Sequence, residues 1–198
     1  MVFTFAILAV VLSYTWFFQP RWPSSFVAIP VAVVLILGAW KAALTGETGV
    51  KPAAFIPAFR AASIFTIVIA LILVAAGVIR GTWHDRPNLL ENFFALIAWG
   101  GGQQWILQTV FLRDAQRATS PRAGILVAAA LFASLHLPNP WLTMLTFAGA
   151  IGWCAIYDRH PNVIPLALSH AVATLIILYA FDDAIMGRLR VGVAYLAR

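Results

Sequence analysis

Seven stretches of this chain, at 2–18, 26–44, 61–79, 90–112, 123–137, 141–157 and 163–181, are apolar and almost free of charge. About 20 helical residues cross the hydrocarbon core of a bilayer. In lipid, only helices and closed barrels satisfy their own backbone groups. The apolar residues run continuously instead of alternating, which favours helices over a barrel. The fold expected is therefore all-α: a polytopic bundle of about seven transmembrane helices, one membrane domain over residues 1–198, multi-pass in the cell membrane. Composition agrees, with 62% hydrophobic and 10% charged residues, against about 25% charged in a soluble domain. The first stretch lacks a basic n-region and a small-residue cleavage site, so it reads as a retained helix and not as a signal peptide.

The connections carry helix-breaking and interfacial residues. Pro20, Trp22 and Pro23 make an interfacial turn. Lys41, near the end of the second stretch, is placed to snorkel to the headgroups. Residues 45–59, with Gly46, Gly49, Pro52 and Pro57, read as a loop. Pro87 and Asn88 suit a helix start, and Glu91 suits the positive end of its dipole. Residues 113–122 read as a cationic loop, 158–162 as a tight polar turn and 182–198 as an amphipathic or loose tail. The net charge of +6 is spread over these connections, which fits membrane lipids as partners and not nucleic acid. Basic residues divide seven to six between the two sides, so the positive-inside rule assigns no orientation. Cys154 is the single cysteine, so no disulfide forms within the chain.

The fourth stretch holds Gln103, Gln104 and Gln108 in an otherwise apolar run. An unpaired buried amide costs roughly 1–3 kcal/mol, so these side chains need protein partners. His136 and His170 also sit in apolar runs, with Asn139 and Thr174 close to them in sequence. Residues four apart share a helix face. That pairs Gln104 with Gln108, Phe132 with His136 and His170 with Thr174, while Gln103 points about 100° away from Gln104. Polar side chains inside a membrane mark sites or serve as hydrogen-bonding glue between helices. Two histidines with paired glutamines favour a site, built from the fourth, fifth and seventh stretches. Gly100, Gly101 and Gly102 precede the glutamines. They serve either as a helix-packing surface or as a narrowing that admits a ligand backbone.

Three segments carry a resemblance: Phe132-Ala133-Ser134-Leu135-His136-Leu137-Pro138-Asn139-Pro140, Tyr157-Asp158-Arg159-His160-Pro161-Asn162, and Pro165-Leu166-Ala167-Leu168-Ser169-His170. Over residues 90–180 the chain resembles the CAAX-protease and bacteriocin-processing (Abi) family of intramembrane proteases. That family is recognised by Glu-Glu-x-x-x-Arg, Phe-x-x-x-His and His-x-x-x-Asn. Phe132 and His136 match the second motif and His170 the third. Gln103 and Gln104 stand where the family has its glutamates, Gln108 where it has arginine, and Thr174 where it has asparagine. The resemblance implies hydrolysis of a peptide bond in a membrane-associated substrate. It assigns water activation to the first motif position and His136, and oxyanion binding to His170 and its partner. The implied catalytic set is Gln103, Gln104, His136, His170 and Thr174, with Gln108, Phe132 and Asn139 as substrate or structural residues.

An amide is no base. Glu91 precedes Gln103 by 12 residues, about 18 Å along a helix, so it does not substitute. His136 remains as the base, since an ordinary imidazole has a pKa near 6.5. Losing an assisting carboxylate lowers the rate by about 10²–10⁴-fold. Replacing acids and arginine together leaves no unpaired charge, so the site reads as a neutral polar cleft. Two histidines without a carboxylate or thiolate are too few for a catalytic zinc, so neither metal nor cofactor is expected. Two functions follow: a peptidase of reduced activity, or a non-catalytic relative that binds a membrane peptide or lipid as a scaffold. A transporter is disfavoured, because ion or proton transport usually uses buried charges.

Overall fold

The computed structural model describes residues 1–85 and 89–197. Each apolar stretch is helical over most of its length. In chain order these are α1 (Val2–Ser13), continued as a π-helix over Tyr14–Phe18; α2 (Ala28–Thr45); α3 (Phe55–Arg80); and α4 (Leu89–Ile106), continued as a π-helix over Leu107–Leu112. Then come α5 (Arg113–Ala118), α6 (Pro121–Ser134), α7 (Pro140–Arg159), α8 (Val163–Ala180) and two short pieces, α9 (Asp183–Met186) and α10 (Val193–Leu196). No strand occurs among the described residues beyond an isolated bridge between Val50 and Asn162. This is an all-α membrane protein. Ser24–Thr45, Pro52–Arg80, Pro140–Arg159 and Val163–Ala180 are long and apolar enough to cross a membrane, by length and composition. Ile64, Leu71 and Ile72 of α3 are 67%, 67% and 62% exposed. Such an outward apolar face suits lipid.

Several boundaries differ from expectation. A 3₁₀ turn, Pro52–Ala54, with proline at its start, leads directly into α3 at Phe55, so much of the expected loop is helical. The expected cationic loop is mostly α5. α7 runs on to Arg159 and shortens the polar turn. The helix start expected at Pro87 and Asn88 lies outside the described residues.

The chain forms two compact units: Met1–Thr48, Ile106–Cys154 and Leu189–Arg198 in the first, Gly49–Trp105 and Ala155–Arg188 in the second. In the first, Ile7, Leu107, Val110, Phe111 and Leu112 are fully buried. Ser120 caps α6 by accepting from the Ala123 N–H at 3.2 Å, with Pro121 at the first helical position. Gly124 lets α6 close on α5: a Cβ there would meet Gln116 Cα at 2.7 Å.

Lys41 overturns its expectation. It does not snorkel but is 3% exposed. Its Nζ lies 2.6 Å from Asp114 Oδ1 and donates to the carbonyls of Thr109 at 2.9 Å and Val110 at 3.0 Å. Thr4 donates to the other Asp114 oxygen at 2.8 Å. An ammonium with three donors finds a counter-charge and two carbonyls in place, so nothing drives it to the headgroups. Burial works to raise the Asp114 carboxyl, but the Lys41 and Thr4 hydrogen bonds and the Lys41 charge outweigh it. The carboxyl is held below the ordinary aspartate range.

In the second unit α3 packs along α8. A Cβ at Gly77 would meet the Ala180 carbonyl oxygen at 2.6 Å, so the two backbones touch there as small-residue membrane interfaces allow. Thr82 donates to that same carbonyl at 2.7 Å, and the Thr66 and Ser169 hydroxyls bond at 2.7 Å. Asn162 caps α8 by accepting from the Ile164 N–H and ties in the preceding segment by donating to the Lys51 carbonyl, both at 3.1 Å.

Candidate functional site

The second-motif histidine sits beyond its helix. α6 was expected to reach residue 137, with His136 in its last turn. It ends at Ser134, and His136 lies in the turn that follows. Pro138 disfavours helical backbone at the residue before it. The chain tightens instead, the His136 N–H donating to the Ala133 carbonyl at 2.9 Å. The imidazole is half-buried and meets the Phe132 ring edge-on at 5.3 Å between centroids. Its Nδ1 lies 3.1 Å from the Phe132 carbonyl oxygen. A carbonyl only accepts, so Nδ1 carries the hydrogen and Nε2 keeps its lone pair.

Asn139 holds this turn. It is fully buried. Its Oδ1 accepts from the Leu142 N–H at 3.1 Å, capping α7, and its Nδ2 donates to the Arg190 carbonyl at 3.2 Å. The Gly192 N–H reaches the Leu137 carbonyl at 2.8 Å. The C-terminal segment, expected to be amphipathic or loose, is thus bonded to the turn that carries His136. Sequence reading missed this, because both acceptors and one donor are backbone groups. Beside the turn lies a cavity of about 350 Å³ whose lining includes Ala133, Ser134, Leu137, Thr143, Met144 and Phe147.

Four further candidates fall in the second unit. Gly100 and Gly101 turn towards α8: a Cβ on Gly100 would lie 3.4 Å from His170 Cγ, and one on Gly101 3.7 Å from Ala167 Cβ. These two glycines are a helix-packing surface. Gly102 faces open space. One turn beyond Gly100, the fully buried Gln104 reaches His170, with its Nε2 3.1 Å from the ring Nδ1. Gln103 is half-buried on the neighbouring face of α4, and Thr174 is half-buried one turn after His170 on α8.

Gln108 belongs to the first unit, fully buried within the π-helix Leu107–Leu112. The α-helical spacing that paired it with Gln104 stops at Ile106, because π winding bonds i to i+5. Lys41 donates to two carbonyls of this π segment. Sequence reading missed the Lys41–Asp114 pair. The available signal was two opposite charges, each at the edge of an apolar run.

Among the described residues no three His, Cys, Asp or Glu side chains gather as a metal site. Residues 85–176 match the family model described as Type II CAAX prenyl endopeptidase Rce1-like. No curated protein and no solved structure matches the chain.

Proposed function

We propose, taking as premise that this chain belongs to the type II CAAX prenyl endopeptidase Rce1-like family, that it hydrolyses a peptide bond of a membrane-associated substrate at a neutral, histidine-based site in the cell membrane. The observation that carries this reading is the bond from His136 Nδ1 to the Phe132 carbonyl. It orients the ring and leaves Nε2 as the base.

Water adds to the substrate carbonyl carbon while His136 Nε2 takes one water proton. The carbonyl electron pair moves to oxygen. When the intermediate collapses, the peptide nitrogen leaves with the proton from His136, giving an acid and an amine. Gln103 is an amide and removes no proton, which lowers the rate by about 10²–10⁴-fold relative to a carboxylate. Asn139 fixes the His136 turn and does not contact substrate. The cavity bounded by Ala133, Leu137 and Phe147 takes an apolar substrate side chain. Thr174 stands one turn from His170 on the same helix.

The test is cleavage of a peptide library by the purified protein in lipid. Slow turnover is expected in wild type, loss of it in His136→Ala, and a gain of about 10²-fold or more in Gln103→Glu. The amides at the acid positions favour a second reading, a non-catalytic relative that binds a membrane peptide or lipid. Tight peptide capture with no turnover in any variant supports that reading over hydrolysis.

A further inference from the structure

Gln104 is fully buried, and its Nε2 lies 3.1 Å from His170 Nδ1. An amide nitrogen only donates, so His170 Nδ1 accepts with its lone pair. A neutral imidazole that accepts at Nδ1 carries its hydrogen on Nε2. A glutamate at position 104 does the reverse, since a carboxylate only accepts and so places a hydrogen on Nδ1. The ring then offers a donor at Nε2 only by becoming a cation. Gly100 faces the ring: a Cβ there would make ordinary van der Waals contact, 3.4 Å from His170 Cγ and 3.5 Å from its Cβ.

We propose that Gln104 is a positioning residue that sets His170 in its Nε2–H tautomer, so that His170 presents an uncharged hydrogen-bond donor to the substrate carbonyl oxygen. The use of that donor rests on the hydrolytic reading above; the tautomer itself does not. The amide at position 104 then does what a carboxylate cannot: it gives the oxyanion a donor while the ring stays neutral. The acid-to-amide exchange at this position tunes the site to zero charge and leaves its donor in place. Removing one preorganised oxyanion donor costs about 10²–10³-fold in kcat. That is the size of effect expected when the tautomer is lost.

The experiment is nitrogen-15 NMR of the full chain in lipid bicelles with labelled histidine, at about pH 8, above the ordinary imidazole range. His170→Phe assigns the signal among the four histidines. In wild type, His170 Nδ1 is expected to be unprotonated and Nε2 protonated. Gln104→Glu is expected to protonate Nδ1, and Gln104→Met to mix the tautomers. In turnover, Gln104→Met is expected to lower kcat only in proportion to the Nε2–H tautomer lost, about a few-fold, with KM little changed. A protonated Nδ1 in wild type overturns the inference without any variant needing to fold. So does a tautomer unchanged in Gln104→Glu. If the spectra come out as expected and no variant turns over, the tautomer stands and the hydrolytic reading falls. If wild type turns over with Nδ1 protonated, the reverse holds.

Discussion

The two units each bury a polar pair, of different kinds. In the first, Lys41 and Asp114 carry full charges at 3% and 5% exposure. In the second, Gln104 and His170 are joined through neutral groups. The first pair shows that this chain keeps charges inside an apolar surrounding when each finds partners. Neutrality at the motif positions is therefore not forced by an inability to bury charge. It fits the proposed hydrolysis, in which an uncharged imidazole takes the proton.

The sharpest way to break this comparison is to remove one member of each pair. Lys41→Met leaves the buried Asp114 carboxylate with only the Met1 ammonium, 3.6 Å away, as counter-charge, and up to about 3–5 kcal/mol of stability should go. The double change Lys41→Met, Asp114→Leu should recover most of it, as measured by thermal unfolding in one detergent. Equal losses in the single and double variants would mean that the pair is not holding the π segment through charge. Gln104→Met should cost less, about 1–3 kcal/mol, because it strands only a neutral acceptor. If it costs as much as Lys41→Met, the contrast between charged and neutral pairs fails.

Asn139→Ala should cost about 1 kcal/mol through the lost α7 cap. It should also lower turnover, because the turn bearing His136 loses its tie to the Arg190 carbonyl. Unchanged kinetics would show that the turn is held by other contacts. The smallest effect is on pH. The Asp114 carboxyl is depressed in the folded state by Lys41 and Thr4, against its burial. Its contribution to stability is therefore present above the unfolded value, about pH 3.9, and is lost as pH falls through the lower folded value. The midpoint of unfolding should drop more steeply on acidification below about pH 4 in wild type than in Asp114→Asn. Parallel slopes would remove Asp114 from the account.

Much of the fold was legible because lipid leaves a chain few choices. Apolar runs of spanning length must be helices, and proline and glycine mark where they stop. The motif residues stood out because amides and imidazoles are rare in such runs. Lys41 was misread because snorkelling depends on having no nearer partner, and that partner lies far along the chain. The π winding at Leu107–Leu112 hid behind an ordinary helical pattern, which does not show where carbonyls are claimed by a side chain from another helix. His136 slipped past the end of α6 because successive short-range bonds tightened the turn before the prolines.

By itself the sequence determined that the chain is helical, that it lives in a membrane, and which polar residues its apolar runs carry. Hydrophobicity and backbone hydrogen bonding act locally and need no partner to be read. Which polar groups meet was decided only in tertiary structure: Lys41 with Asp114, Gln104 with His170, and Asn139 with the C-terminal segment. A hydrogen bond depends on ångström distances between residues remote in sequence, and only packing sets them.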